Sequence, residues 1–197
     1  MSFSKSIALA ALLALPVATF SAHAQEAPMS SPDSFRKGDR WEWRQVDTRT
    51  QLEEGKRTRT VEEVDGVLKF SENGRHIAVS FPYLGPPGVK KPWRVWPLRV
   101  GASWQYDEDW TRPDGVTGNT KADVAVTAYE EVSVPAGKFM AFKIELKGFY
   151  RNARGGHGQQ KDTFWYAPSA AADVKLMRDD GHNMWTRELT SYTRGAP

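Results

Sequence analysis

Four cations and two indoles fall within ten residues of this chain, Lys90-Lys91-Pro92-Trp93-Arg94-Val95-Trp96-Pro97-Leu98-Arg99. Proline keeps such a stretch extended. Indole offers an apolar face and one N–H donor, while Lys and Arg supply charge that pairs with carboxylate or phosphate. Lys90, Lys91, Trp93, Arg94, Trp96 and Arg99 are therefore the candidate ligand-binding residues, suited to an anionic lipid headgroup, a glycan or a partner segment. Tryptophan is buried on average. The competing expectation is that Trp93 and Trp96 pack into a sheet while the cations stay in water.

Other constellations carry less. Beyond residue 24 the histidines are His76, His157 and His182, each beside a Gly turn and without metal-ligand spacing. They read as solvated turn residues, and no metal or cofactor is expected. The loop Arg151-Asn152-Ala153-Arg154-Gly155-Gly156-His157-Gly158 has the glycines of an anion cradle but no following helix, so a long hairpin tip is the simpler reading. Glu62/Glu63 and Glu130/Glu131 are adjacent, and neighbours on a strand face opposite ways, which makes neither pair a carboxylate dyad. Asp107-Glu108-Asp109 opens like a calcium loop, but Arg112 stands where Gly is required. Ser103 has no nucleophile elbow around it. No catalytic residue is assigned.

Residues 1–24 have the three parts of a secretory signal peptide: Lys5, an apolar run from Ile7 to Phe20, and Ala22-His23-Ala24 as the cleavage pattern. Pro16 and the short run argue against a retained membrane anchor. The net charge of the 197 residues is +3; removing Lys5 with the signal leaves +2, too little to imply nucleic acid. With no Cys, thiol chemistry, disulfides and cysteine zinc sites are excluded, and lipid attachment after the signal is too. A periplasmic or secreted product, soluble after cleavage and without a membrane span, is expected.

The elements that must position these residues are strands. Residues 25–37 read as a flexible leader, and 38–197 as a single all-β domain. Lys138 to Tyr150 alternates cleanly, with Met140, Phe142, Ile144 and Leu146 on one face. Val134-Pro135-Ala136-Gly137 is a turn leading back to Ala122–Ala128. Asn73-Gly74 and Asp180-Gly181 mark two more hairpins. The fold class is thus a curled antiparallel sheet, half barrel or sandwich of about ten strands. Gly38-Asp39-Arg40-Trp41-Glu42-Trp43 is matched by Gly101-Ala102-Ser103-Trp104-Gln105-Tyr106, and Glu62-Glu63-Val64 by Glu130-Glu131-Val132. Two repeated lobes, 38–83 and 101–168, follow if these are true repeats; chance similarity among hairpins is the alternative. The proline-rich segment 82–97 is expected to be an extended crossing or exposed rim.

Pro97-Leu98-Arg99-Val100-Gly101 before Trp104, Val134-Pro135-Ala136-Gly137-Lys138-Phe139, and Phe164-Trp165-Tyr166-Ala167-Pro168 before Val174-Lys175 occur together. Across about residues 95–192 the chain resembles small exported proteobacterial β proteins grouped as domains of unknown function. The resemblance implies a curled sheet loosely similar to lipoprotein-carrier half barrels, and no catalytic residues.

Three functions remain open. The first is a noncatalytic carrier whose sheet encloses a lipid or amphipathic small molecule. The second is an envelope scaffold docking a protein through a sheet edge or the Pro–Trp segment. A hydrolase of envelope polymers comes last, since no residues for it are named.

Overall fold

The computed structural model describes residues 35–79 and 89–196. The expected signal peptide, most of the expected leader and residues 82–88 of the proline-rich segment lie outside the described residues. The described chain contains eleven strands and no helix. They are β1 (Arg40–Asp47), β2 (Glu53–Val64), β3 (Val67–Glu72), β4 (Arg75–Ala78), β5 (Val89–Lys91), β6 (Ser103–Thr111), β7 (Thr117–Val134), β8 (Gly137–Asn152), β9 (His157–Ala167), β10 (Ala172–Asp179) and β11 (Met184–Thr193).

All eleven form one antiparallel sheet in the order β4-β3-β2-β1-β11-β10-β9-β8-β7-β6-β5. Among the described residues the sheet does not close, and β4 and β5 are its two edges. The first and last strands meet in its middle, where Arg40 faces Thr193 and Trp43 faces Leu189. Tight hairpins set the register. Asp65-Gly66 and Asn73-Gly74 both put two successive residues at positive φ (55°, 74° and 50°, 74°), the geometry that matches strand twist.

Curvature comes from bulges and small inward residues. Register shifts between Glu42 and Trp43, Val126 and Ala128, and Asp173 and Lys175 bend the strands they interrupt. Beyond the Val126 bulge, the tip of the β7–β8 hairpin reaches β11, where Ala136 N–H donates to the Leu189 carbonyl at 3.0 Å. On the inner face Gly148 of β8 lies opposite Ala122 of β7, leaving no room for a larger pair.

Two apolar clusters hold the sheet. One gathers Trp41, Trp43, Val61, Phe70, Val174 and Leu189. The other gathers Leu98, Tyr106, Val124, Val126, Phe142, Ile144 and Phe164. Gly38 and Gly101 enter them by the same turn. Each has φ 88°, each N–H donates at 2.8 Å to a valine carbonyl across the sheet (Val61 and Val126), and each valine N–H returns a bond to the following residue. Glu62 follows Val61 by one position and Glu130 follows Val126 by four, so the Glu-Glu-Val match is not in structural register.

The proline-rich segment takes two roles. Val89–Lys91 forms the short edge strand β5 against β6. Residues 92–98 then leave that edge, dip across the inner face to β9 and β10, and return to begin β6. Leu98 ends the dip fully buried in the second cluster.

Candidate functional site

The dip works as a strap over the inner face. Trp93 meets Phe164 of β9 edge-on with ring centroids 5.7 Å apart, and Trp96 meets Tyr166 likewise at 5.1 Å. Between them Arg94 is 2% exposed. Its guanidinium carbon lies 4.6 Å from the Trp93 ring, 5.2 Å from Tyr166 and 5.6 Å from Phe164. Its Nη2 donates to Asp173 Oδ1 of β10 at 2.9 Å. The expectation of packed indoles with wet cations thus holds for the indoles and not for Arg94: an aromatic cage and a carboxylate make its burial tolerable.

Beside the strap the sheet leaves a cavity of about 360 Å³, open to solvent. Its apolar wall includes Trp43, Trp93, Leu146, Phe164 and Leu176, and its polar wall is dominated by Arg57, Arg59, Arg94, Arg178 and Arg187. Alternation puts these arginines inside. Arg57 and Arg59 share a face of β2 with Val61, and Arg187 shares one of β11 with Trp185 and Leu189.

Three carboxylates engage this wall. Asp162, almost wholly buried, receives Arg178 Nε at 2.9 Å and Nη2 at 2.7 Å, with Gln160 Nε2 adding a third bond at 2.9 Å. Glu72 takes Arg57 Nη2 at 2.5 Å and Arg59 Nε at 3.0 Å. Asp173 takes Arg94, while its carbonyl accepts the Trp43 indole N–H at 2.8 Å. Arg187 has no ion pair among the described residues. It donates to Gln45 Oε1 at 2.7 Å and lies 4.8 Å from the Trp185 ring, with Arg178 5.3 Å from the same ring.

Burial, with the charges of Arg57 and Arg178 nearby, pulls Arg187 down to about 10. Burial and the neighbouring Arg57 also lower Arg59. Burial opposes the charge on Arg178, but the hydrogen bond and charge of Asp162 outweigh it and raise the guanidinium. Burial likewise pushes the Glu72 carboxyl up, and the guanidiniums of Arg57 and Arg59 bring it below its ordinary value.

Of the sequence candidates, Trp93 and Arg94 line this cavity, and Trp96 braces the strap beside it. Lys90 pairs with Asp109 at 2.7 Å, Lys91 bonds Gln105 at 2.6 Å, and Arg99 is exposed. Those three lie outside the lining. Sequence reading missed Arg57, Arg59, Arg178 and Arg187. Their signal was arginine in phase with apolar residues: Arg57-Thr58-Arg59-Thr60-Val61 and Trp185-Thr186-Arg187-Glu188-Leu189.

The glycine-rich loop is the β8–β9 turn. The Oδ1 of Asn152 accepts from the N–H groups of Arg154 at 2.9 Å and Gly156 at 3.0 Å, so the chain's own amide fills the cradle. His76 approaches Glu62 at 3.3 Å, and His157 the Gly155 carbonyl at 3.1 Å, both exposed. Asp107 and Asp109 extend from strand β6 to the amide of Asn119.

A solved candidate lipoprotein from Parabacteroides distasonis ATCC 8503 superposes with a TM-score of 0.53 over 85% of this chain and all of its own, at 12% identity. The two chains share a fold. A solved candidate exported protein with a YmcC-like fold, from Bacteroides fragilis NCTC 9343, gives a TM-score of 0.44 at 9% identity, covering 81% of this chain and 97% of its own. No family model matches the chain, and no curated protein does. No helix among the described residues is long and apolar enough to cross a membrane.

Proposed function

We propose that this protein is a noncatalytic periplasmic binding or carrier module for an apolar or amphipathic ligand of the cell envelope. The cavity between strap and inner face carries the proposal. Its volume, about 360 Å³, falls at the small end of the range for small-molecule sites, and aromatic and aliphatic walls with a few charged groups are typical of such sites. The signal-peptide pattern of residues 1–24 supports an exported location, and the fold likeness to a candidate lipoprotein is consistent with it. The relation to exported proteobacterial β proteins belongs to the same proposal.

Docking through the Pro–Trp segment is the weaker alternative, because Trp93 and Trp96 are spent on Phe164 and Tyr166. A hydrolase is weaker still: the three carboxylates at the cavity wall are each committed to arginine, Glu72 to Arg57 and Arg59, Asp173 to Arg94 and Asp162 to Arg178.

The test is titration of the purified protein with the neutral fluorophore N-phenylnaphthylamine, alongside native mass spectrometry of protein from its exporting host. A saturable one-to-one fluorescence gain, weakened at least fivefold by a bulky L146W substitution in the wall, is expected. No gain together with no co-purifying small molecule overturns the carrier reading.

A further inference from the structure

The geometry points to an anion site inside the cavity: Arg57 and Arg187, converging from β2 and β11 on either side of β1, hold the acidic head of a single-chain amphiphile whose tail lies along Trp43, Trp93 and Leu176. This inference rests on the carrier reading and adds the ligand's charge to it.

Charge balance within the wall comes first. Five guanidiniums face the cavity, and the three carboxylates that engage them are already committed, Asp162 to Arg178, Asp173 to Arg94 and Glu72 to Arg57 and Arg59. Two positive charges remain in excess. They concentrate at Arg187, which has no carboxylate partner among the described residues, and at Arg57, which shares Glu72 with Arg59. Of the further acids nearby, Glu54 at the rim is exposed and bonded to Gln45, and Asp180 bears on Arg178. Half-buried like charges without counter-charge disfavour the empty cavity.

Geometry comes second. In the sheet Trp43 pairs with Arg57 and Gln45 with Arg187, so the two arginines flank one strand and line both this cavity and the adjoining cleft. The Nε of Arg57 is buried without a partner among the described residues. Guanidinium forks match carboxylate and phosphate oxygens, and in a partly desolvated pocket such bonds are strong. The ring of Trp185 keeps Arg187 and Arg178 at 4.8 and 5.3 Å, which limits the side-chain entropy lost when an anion arrives.

The experiment compares dodecanoate, dodecanol and inorganic phosphate on the purified protein by calorimetry, and repeats dodecanoate on R187Q, R57Q and R187K. Dodecanoate is expected to bind at least tenfold tighter than dodecanol. R187Q and R57Q should remove most of that preference with unchanged circular dichroism, and R187K should keep part of it. Dodecanol binding as tightly as dodecanoate overturns the anion site and leaves the carrier reading intact. Phosphate binding as tightly as dodecanoate would mean that the tail contributes nothing, which overturns the amphiphile inference and the carrier reading together. Absence of binding by all three overturns both. Because the wild-type comparison stands alone, a variant that fails to fold does not spoil the test.

Discussion

Arg94 and Asp173, seventy-nine positions apart, meet at 2.9 Å and clasp the strap to strand β10. The arginine is 2% exposed and the carboxylate side chain 24%. Removing one member of a nearly buried pair leaves the other charge without compensation, which typically costs about 3 kcal/mol or somewhat more. R94A is therefore expected to lower stability by about 3 kcal/mol in urea titrations. D173N, whose site is wetter and retains an acceptor, should cost about half that. Equal, negligible losses would mean that the strap is held by Leu98 and the indoles alone.

Two half-buried glutamates, Glu72 and Glu108, predict opposite responses to pH. Glu72 has a folded value below its ordinary 4.5, so its contribution is complete above pH 4.5 and is lost as pH falls through the lower folded value. Burial raises Glu108, which accepts the Tyr106 hydroxyl hydrogen bond. Its folded state favours the proton, so its contribution is present below 4.5 and is lost as pH rises through the raised value. E72Q should destabilise at pH 7 and converge on wild type as pH falls through that lowered value. E108Q should stabilise at pH 7 and converge at the same acidic end. Parallel pH curves for both variants would contradict the assignment.

The curl of the sheet depends on Gly148. A Cβ there would overlap the carbonyl oxygen of Lys121 and the Cβ of Ala122 on β7. Backbone on a paired strand has little freedom to yield, so G148A is expected to cost about 2 kcal/mol, within the usual range for overpacking. Gly55, in β2, has nothing within 4 Å of its would-be Cβ. G55A should be neutral or stabilising by about 0.5 kcal/mol. Thermal unfolding of both variants checks the contrast.

Alternation along the chain made the strands legible, because a half-buried strand writes its two faces into successive residues. Lys138–Tyr150 lies inside β8, and the Asn73-Gly74 and Asp180-Gly181 turns join the strand pairs expected of them. The central pairing of β1 with β11 was not legible, since Arg40 and Thr193 carry no local mark of each other. Strand faces were legible too, but polarity was read as exposure. Arg57, Arg59 and Arg187 break that rule because a curled sheet has an inner face wide enough to hold water or ligand as well as a core. Arg94 breaks it for a different reason: four aromatic rings and Asp173 replace its water.

The pairing of Asp162 with Arg178 supports the cavity wall beside Arg187, with which Arg178 shares the Trp185 ring, and its energy is separable. Asp162 has a side chain 1% exposed, while that of Arg178 is 34% exposed. Loss of the arginine strands a buried carboxylate, so R178M should cost about 4 kcal/mol. Loss of the carboxylate leaves a guanidinium that can turn toward water, so D162N should cost less, about 2 kcal/mol, the usual size of a hydrogen bond to a charged group. The double variant removes both charges and should be more stable than the sum of the single losses allows, by at least about 1.5 kcal/mol. The pair meets two-pronged, and both bonds run between directly opposed residues of β9 and β10, so the coupling should survive 0.5 M salt. Strict additivity in urea unfolding would show that the carboxylate is held by Gln160 and its surroundings, with the arginine contributing nothing to the wall.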